Sequence, residues 1–236
     1  MGLPKISSPI FDLTVPSTKQ AVKFRPFLVK EEKILLMASQ TGNETDILNA
    51  ITQIVNNCVH ADGFDVTKLA SFDIEYIFLK IRAKSVDNVV ELAFRDNEDE
   101  KIYNFKVNLD KIEITFNEKN NPKIEINDEA GIIMRYPDAR IAERIGIVVP
   151  AELTKFKMIR LCIDKIYDAD NVYNASEFSD AELEEFVDNL DMTTYNKIDE
   201  FFDTIPKLYH KIEYKNSLNN DRVIELTTLT DFFSLV

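Results

Sequence analysis

The side chains best suited to bind a metal ion are few in this sequence, and their spacing is poor. Cys58 and His60 place a thiol and an imidazole two residues apart, but a zinc site needs three or four such ligands. The segment that starts at Asp168 begins like a calcium loop, with a second acid at Asp170. It then has Tyr173 where such a loop needs glycine, and it has no glutamate at the twelfth position. We therefore predict no metal site and no cofactor.

The residue patterns of covalent and phosphate chemistry are missing as well. No serine occupies a Gly-x-Ser-x-Gly elbow, and the five glycines lack the spacing of a phosphate loop or a dinucleotide fingerprint. The chain has 41 Asp and Glu residues, so a hydrolase that uses scattered carboxylates is the remaining enzymatic alternative. It has no local signature. We predict that the chain is not an enzyme.

The composition narrows the choice of partners. The net charge is −13 and the pI is about 4.7, which argues against binding to the phosphate backbone of nucleic acids. No basic start leads into a long apolar run, so we expect neither a signal peptide nor a membrane span. Cys58 and Cys162 lie far apart and are predicted to be buried free thiols in a reducing compartment.

Charge is distributed unevenly along the chain. Residues 1–33 contain six basic and three acidic residues, whereas residues 177–200 contain nine acidic residues and a single base, Lys197. A basic front and an acidic back are consistent with electrostatic selection of a partner or with self-association. The simpler alternative is that these charged residues form solvent-exposed faces of a soluble protein and bind no partner.

The segment Phe72–Ser85 is the helix with the clearest pattern. Its apolar residues recur at helical spacing and surround the helix on most sides, which predicts burial in a core or under a partner. Asp73 and Glu75 stand at its front and three bases stand at its back, as the helix dipole favours. This helix is predicted to be a structural element.

The periodicity of the whole chain predicts an α+β fold. Four prolines in the first 26 residues indicate an extended N-terminal arm. The predicted segments are an arm over 1–18, a helical lobe over 19–87, a small antiparallel β-meander over 88–136, and a helical lobe with a C-terminal hairpin over 137–236. One continuous domain is the alternative.

Three local patterns carry further expectations. A helix over Phe27–Ser39 is predicted with Lys30–Lys33 as its polar side and with apolar positions at Leu28, Leu35, Leu36 and Met37. A long helical face is predicted from Leu153 to Tyr167, and Ser179-Asp-Ala-Glu182 reads as a capping box. The turn from Asp96 to Lys101 has too much charge to be buried.

Two stretches carry a resemblance to a known family. The segment Lys23–Lys33, with its Arg-Pro corner, and the segment Phe72–Ser85, which ends in Arg-Ala-Lys-Ser, are similar to the T4-type phage baseplate hub and hub-assembly family of contractile tails. The resemblance spans about residues 4–233. Some relatives have cysteine pairs in the strand region, but Arg95–Phe105 has none, so a metal knuckle is not expected.

The resemblance implies a non-enzymatic protein that forms or promotes assembly of the central hub through protein–protein contacts. Its implied partners are other hub or tape-measure proteins. Neither nucleic acid nor membrane is expected as a partner, and self-association is left open. The implied location is the host cytoplasm during assembly and then the baseplate of the virion tail. A transient chaperone for tape-measure or hub proteins, absent from the mature virion, is the alternative.

The predicted contact residues come from three places in the chain. They are apolar residues of the arm, bases at the end of the central helix and two aromatic residues at the C-terminus, with packing in the core as the alternative role: Ile10, Phe11, Leu13, Val15, Lys80, Arg82, Lys84, Phe232 and Phe233.

Overall fold

The computed structural model of the chain describes residues 7–141 and 151–232. The chain forms two compact units, of which unit 1 is Met1–Thr115 with Lys207–Val236 and unit 2 is Phe116–Pro206. The predicted boundaries at 18, 87 and 136 remain predictions. The predicted α+β class is confirmed, because helices accompany four antiparallel sheets in the described residues.

The helices of the described residues are, in chain order, α1 (Val29–Thr41), α2 (Glu44–Cys58), α3 (Ser71–Ser85), α4 (Ala151–Cys162), α5 (Asp180–Asp188), α6 (Met192–Asp203) and α7 (Leu229–Phe232). The strands are β1 (Phe11–Thr14), β2 (Ala21–Phe24), β3 (Val59–His60), β4 (Val89–Arg95), β5 (Ile102–Asn108), β6 (Glu113–Thr115), β7 (Lys123–Glu125), β8 (Gly131–Met134), β9 (Ile163–Tyr167), β10 (Val172–Asn174), β11 (Lys207–Lys215) and β12 (Asp221–Leu226).

Unit 1 is built around α3. Ile77, Leu79 and Ile81 of this helix are fully buried, as the all-round apolar pattern predicts. Helix α3 packs against α2 and against β6 and β11. Three small sheets complete the unit, with strand orders β1-β2-β3, β4-β5 and β12-β11-β6. The helix therefore lies between α2 and the β12-β11-β6 sheet in the core of unit 1.

The strands between residues 88 and 136 do not form a single meander. Strand β4 pairs with β5 and β7 pairs with β8, whereas β6 pairs with β11 from the end of the chain. Strands β7 and β8 belong to the sheet of unit 2, whose order is β10-β9-β8-β7. Alternation of apolar residues identifies strands but does not identify their partners.

The predicted helical face from Leu153 to Tyr167 is wrong over its last five residues. Helix α4 ends at Cys162, and Ile163–Tyr167 is the strand β9, which lies between β8 and β10. The spacing of Ile163 and Ile166 fits a helix, but β-branched residues also favour a sheet, and pairing on both sides of β9 decides the outcome.

Unit 2 has its own apolar core, which lies between its sheet and helices α4 to α6. Ile132, Ile159, Ile163 and Ile198 are fully buried or nearly so, and Phe201 packs among them. The predicted capping box at the start of α5 is confirmed, because Ser179 accepts a hydrogen bond from the N–H of Glu182 and its own N–H donates to the Glu182 carboxylate.

Candidate interaction surfaces

The N-terminal arm lies on its own chain. Strand β1 pairs with β2, and the rings of Phe11 and Phe24 lie 5.6 Å apart. Val15 is fully buried, and the backbone N–H of Ser17 donates a hydrogen bond of 2.9 Å to the carboxylate of Asp73 on α3. Burial raises the pKa of Asp73, although its bonds to Ser17 oppose this effect. Residues 11–17 are therefore a component of unit 1.

The Arg-Pro corner is held by a buried ion pair. Arg25 contacts the carboxylate of Glu31 at 2.9 Å and donates a hydrogen bond of 3.1 Å to the carbonyl of Asn57 on α2. Glu31 also accepts a hydrogen bond of 2.8 Å from the N–H of Leu28. Burial acts to raise the pKa of Glu31, but its bonds to Arg25 and Leu28 leave that pKa below its usual value.

This ion pair changes the orientation expected for α1. Glu31 was placed on the polar side of the helix but is fully buried beside Arg25. Leu36 and Met37, which were placed on the apolar side, are 53% and 70% exposed. Because the buried carboxylate fixes the rotation of the first turn, the helix presents part of its apolar surface to solvent.

The bases at the end of α3 are used within unit 1. The ammonium group of Lys80 donates hydrogen bonds of 2.8 and 2.6 Å to the carbonyls of Asp110 and Ile112, and burial lowers the pKa of Lys80. Lys84 pairs with the carboxylate of Asp110 at 2.9 Å. That contact, with a bond from Asn88, holds the pKa of Asp110 below its usual value. These contacts tie α3 to the segment that follows β5.

The remaining predicted contact residues differ in exposure. Ile10 is 52% exposed, Phe11 and Leu13 are half-buried, and Arg82 is also half-buried. Phe232 is fully buried within unit 1, as are Val15 and almost all of Lys80, because each packs or bonds inside the fold. Their burial agrees with the alternative of packing in the core, and a contact role for these three residues stays a prediction. Phe233 lies outside the described residues.

The β4–β5 and β11–β12 turns of unit 1 contact each other, which the sequence pattern does not predict. Asp96 was expected in a solvated turn but is buried, and it accepts bonds of 2.5 Å from Tyr214 and 3.0 Å from Arg222. The bond from Tyr214 is the main reason that the pKa of Asp96 lies below its usual value. Glu98 accepts a bond of 2.6 Å from Asn216 in the same arrangement. The β4–β5 turn and the β11–β12 turn are thus joined by polar contacts.

A polar cavity of about 450 Å³ lies in unit 2 between β9, β10 and helices α4 and α5. Its three arginines are engaged in ion pairs or in hydrogen bonds to the backbone. Arg140 contacts Asp138 at 2.5 Å, Arg160 contacts Glu184 at 2.9 Å, and Arg135 donates to the carbonyl of Leu161 at 2.7 Å. Such pairing stabilises the wall of the cavity and does not form a nucleophile with its base.

Both cysteines are buried and free, as predicted. Burial raises the pKa of Cys58 to about 11 and that of Cys162 to about 12, so neither thiol is activated at neutral pH. Across the described ranges, no cluster of three or more His, Cys, Asp or Glu side chains could hold a metal ion. Nor does any helix within those ranges have the length and apolar character needed to cross a bilayer.

Helix α1 exposes an apolar strip, which we call the α1 stripe: Val29, Leu36 and Met37. These side chains are 73%, 53% and 70% exposed. At 100° per residue they lie within about a quarter of the helix circumference, opposite the buried Glu31 and Ala38. Apolar side chains grouped on one surface are typical of interaction sites.

Unit 2 exposes an apolar groove, which we call the α5 groove. It has a volume of about 310 Å³ and lies between α5 and the β9–β10 hairpin, with one acidic and five apolar or aromatic lining residues: Ile166, Tyr173, Phe178, Glu182, Leu183 and Phe186. The rings of Tyr173 and Phe178 meet edge to face at 6.2 Å. Phe178 is 36% exposed, Ile166, Tyr173 and Phe186 are half-buried, and Leu183 is buried, so the groove continues into the core of unit 2.

Comparison with known proteins then places the chain. No curated protein and no solved structure gives a significant match. The family model described as "T4 bacteriophage base plate protein" matches residues 8–234, which is nearly the whole chain. The chain therefore belongs to the T4 bacteriophage base plate protein family.

Proposed function

We propose that this baseplate structural protein acts at the central hub of a contractile tail, where it forms the hub or promotes its assembly through protein–protein contacts. The observation that carries the proposal is the family match over residues 8–234. The described surface supports it, because exposed apolar residues gather on α1 and an apolar groove lies beside α5. The proposed partners are other hub or tape-measure proteins.

The proposed role is non-enzymatic. The charged side chains of the unit 2 cavity, Arg140, Asp138 and Arg160, are engaged in ion pairs. The two thiols are buried and have raised pKa values. A role in protein–protein contacts uses the exposed surfaces, and it requires no catalysis by the ion-paired side chains or the buried thiols.

The test is removal of the gene from the phage, followed by electron microscopy of tail structures in infected cells. We expect baseplates without a complete hub, and we expect a plasmid copy of the gene to restore them. Normal baseplates in the absence of the protein would contradict the proposal.

A transient chaperone is the second candidate, because the same surfaces could bind hub or tape-measure proteins during assembly and release them before the virion is complete. Mass spectrometry of purified virions separates the two roles. A subunit of the hub is present in a fixed ratio to other hub proteins, whereas a chaperone is present during infection and absent from the virion. As a structural subunit, the protein is proposed to be in the host cytoplasm during assembly and in the tail baseplate of the finished virion.

A further inference from the structure

The charges beside the two apolar surfaces have opposite signs. Lys33 lies between Val29 and Met37 on the exposed face of α1, and the side chain of the adjacent Lys30 is 67% exposed. Glu182 is one of the residues that line the α5 groove. Glu185 is exposed on the same helix, three residues after Glu182. The α1 stripe therefore has two bases, Lys30 and Lys33, and one half-buried acid, Glu32, beside it, whereas the α5 groove has acidic neighbours.

The acidic edge of the groove is fixed in place. The carboxylate of Glu182 accepts hydrogen bonds of 2.8 Å from the N–H of Ser179 and 2.6 Å from its hydroxyl group. The bond from the Ser179 hydroxyl is the main reason that the pKa of Glu182 lies below its usual value, so this group is anionic at neutral pH. An ordered anion beside an apolar groove favours a ligand that carries a cation next to its apolar residues.

The stripe is longer than the part of α5 that lines the groove. Val29 and Met37 are eight residues apart, which corresponds to about 12 Å along a helix. The α5 residues that line the groove run from Glu182 to Phe186, which corresponds to about 6 Å. An amphipathic helix contacts a groove through residues spaced by three, four and seven positions, as Val29, Lys33 and Leu36 are.

We propose that the α1 stripe of one copy of this chain docks into the α5 groove of a second copy. Apolar residues meet apolar residues in this contact, while Lys30 and Lys33 approach Glu182 and Glu185. Because the two surfaces are different, the contact is head-to-tail, and every copy keeps one surface free for the next. Repetition then produces a ring or an open chain. The inference goes beyond the proposed function and does not depend on the place of the chain in the baseplate.

The contact is small, so a single pair of copies binds weakly, and ring closure strengthens it. The test therefore uses the full chain over a wide concentration range, with molar mass measured by light scattering and sedimentation. Wild-type protein is expected to exceed the mass of a monomer as concentration rises. Leu36→Asp on the stripe and Phe178→Asp in the groove are each expected to remain monomeric.

A mixture of the two variants makes the test specific. Leu36→Asp protein keeps an intact groove, and Phe178→Asp protein keeps an intact stripe. One functional contact can therefore form between them, so an equal mixture is expected to give a dimer and nothing larger. Val223→Asp is the matched control, because Val223 is an exposed apolar residue of β12 outside both surfaces. It is expected to assemble like the wild type.

Charge reversal provides a second measurement that leaves the apolar residues intact. Lys33→Glu or Glu185→Lys is expected to raise the dissociation constant by roughly two- to five-fold, and the double variant is expected to recover wild-type affinity. Circular dichroism shows whether each variant is folded.

Three results would overturn the proposal. They are a wild-type chain that stays monomeric at all concentrations, a Leu36→Asp variant that assembles normally, and a mixture that grows beyond the dimer. If Leu36→Asp removes binding to another phage protein while the wild type is monomeric, the stripe binds that protein and not a second copy. Hub assembly by a monomeric protein would leave the proposed function intact.

Discussion

The hydroxyl oxygen of Ser85 accepts a hydrogen bond of 2.9 Å from the backbone N–H of Phe27 and donates one of 2.6 Å to the carbonyl of Ile81. The residue that follows the Arg-Pro corner is thereby joined to the last turn of α3. The two stretches that carried the family resemblance, Lys23–Lys33 and Phe72–Ser85, are thus in direct contact in unit 1.

Ser85→Ala is expected to lower the free energy of unfolding by about 1–2 kcal/mol, because the N–H of the buried Phe27 loses its partner. Urea denaturation followed by circular dichroism measures the change. Ser39→Ala is the control, since the Ser39 hydroxyl donates only to the carbonyl of Leu36 within its own helix. Equal losses in the two variants would show that the Ser85 contact has no special role.

Lys80→Met is expected to destabilise the chain by about 2–4 kcal/mol. The substitution keeps the length of the side chain but leaves the carbonyls of Asp110 and Ile112 without their donor in a buried place. Lys111→Met, at an exposed position in the same segment, is expected to change the stability by less than about 0.5 kcal/mol. If Lys80→Met is neutral, the segment after β5 is not held by this ammonium group.

Deletion of the arm is expected to destabilise unit 1 by at least about 2 kcal/mol, because residues 1–18 include strand β1 and the fully buried Val15. Deletion of residues 1–9 keeps both features and serves as the matched control. Thermal unfolding of the two truncated chains measures the difference. Unchanged stability together with normal hub assembly after the longer deletion would contradict a role for the arm in either.

The elements with local signals were predictable from the sequence. Helix α3 has dipole-matched ends and a continuous apolar pattern, and α5 has a capping box, so both could be located without tertiary information. The terminal hairpin was also located, because residues 208–214 and 222–227 alternate around a polar turn. These patterns depend on neighbours within a few positions of each other in the chain.

The features that depend on distant partners were not predictable. Asp96 is buried because Tyr214 and Arg222, more than a hundred positions away, supply its hydrogen bonds. Strand β9 forms because β8 and β10 flank it. The α1 stripe escaped prediction because Glu31 is buried beside Arg25, and Arg25 is itself held by the carbonyl of Asn57 on α2, 32 positions away.

Glu75 gives unit 1 a stability that depends on pH. Burial raises the pKa of Glu75 to about 7, and the nearby carboxylate of Asp231 adds to the rise. The folded state therefore binds this proton more tightly than the unfolded state, in which the pKa is near its ordinary value of 4.5. The contribution of Glu75 to stability is most favourable below about pH 4.5 and falls as the pH rises through about 7.

Glu75→Gln removes the ionisable group and keeps the shape of the side chain. At about pH 8 the variant is expected to be more stable than the wild type by about 1–3 kcal/mol, because the wild type must hold a partly buried carboxylate close to Asp231. At about pH 5 the side chain at position 75 is neutral in the folded state of both the wild type and the variant, and the difference in stability is expected to be much smaller. Urea denaturation at the two pH values measures it, with the exposed Glu118→Gln as control. A difference of the same size at both values would show that ionisation of Glu75 does not affect folding.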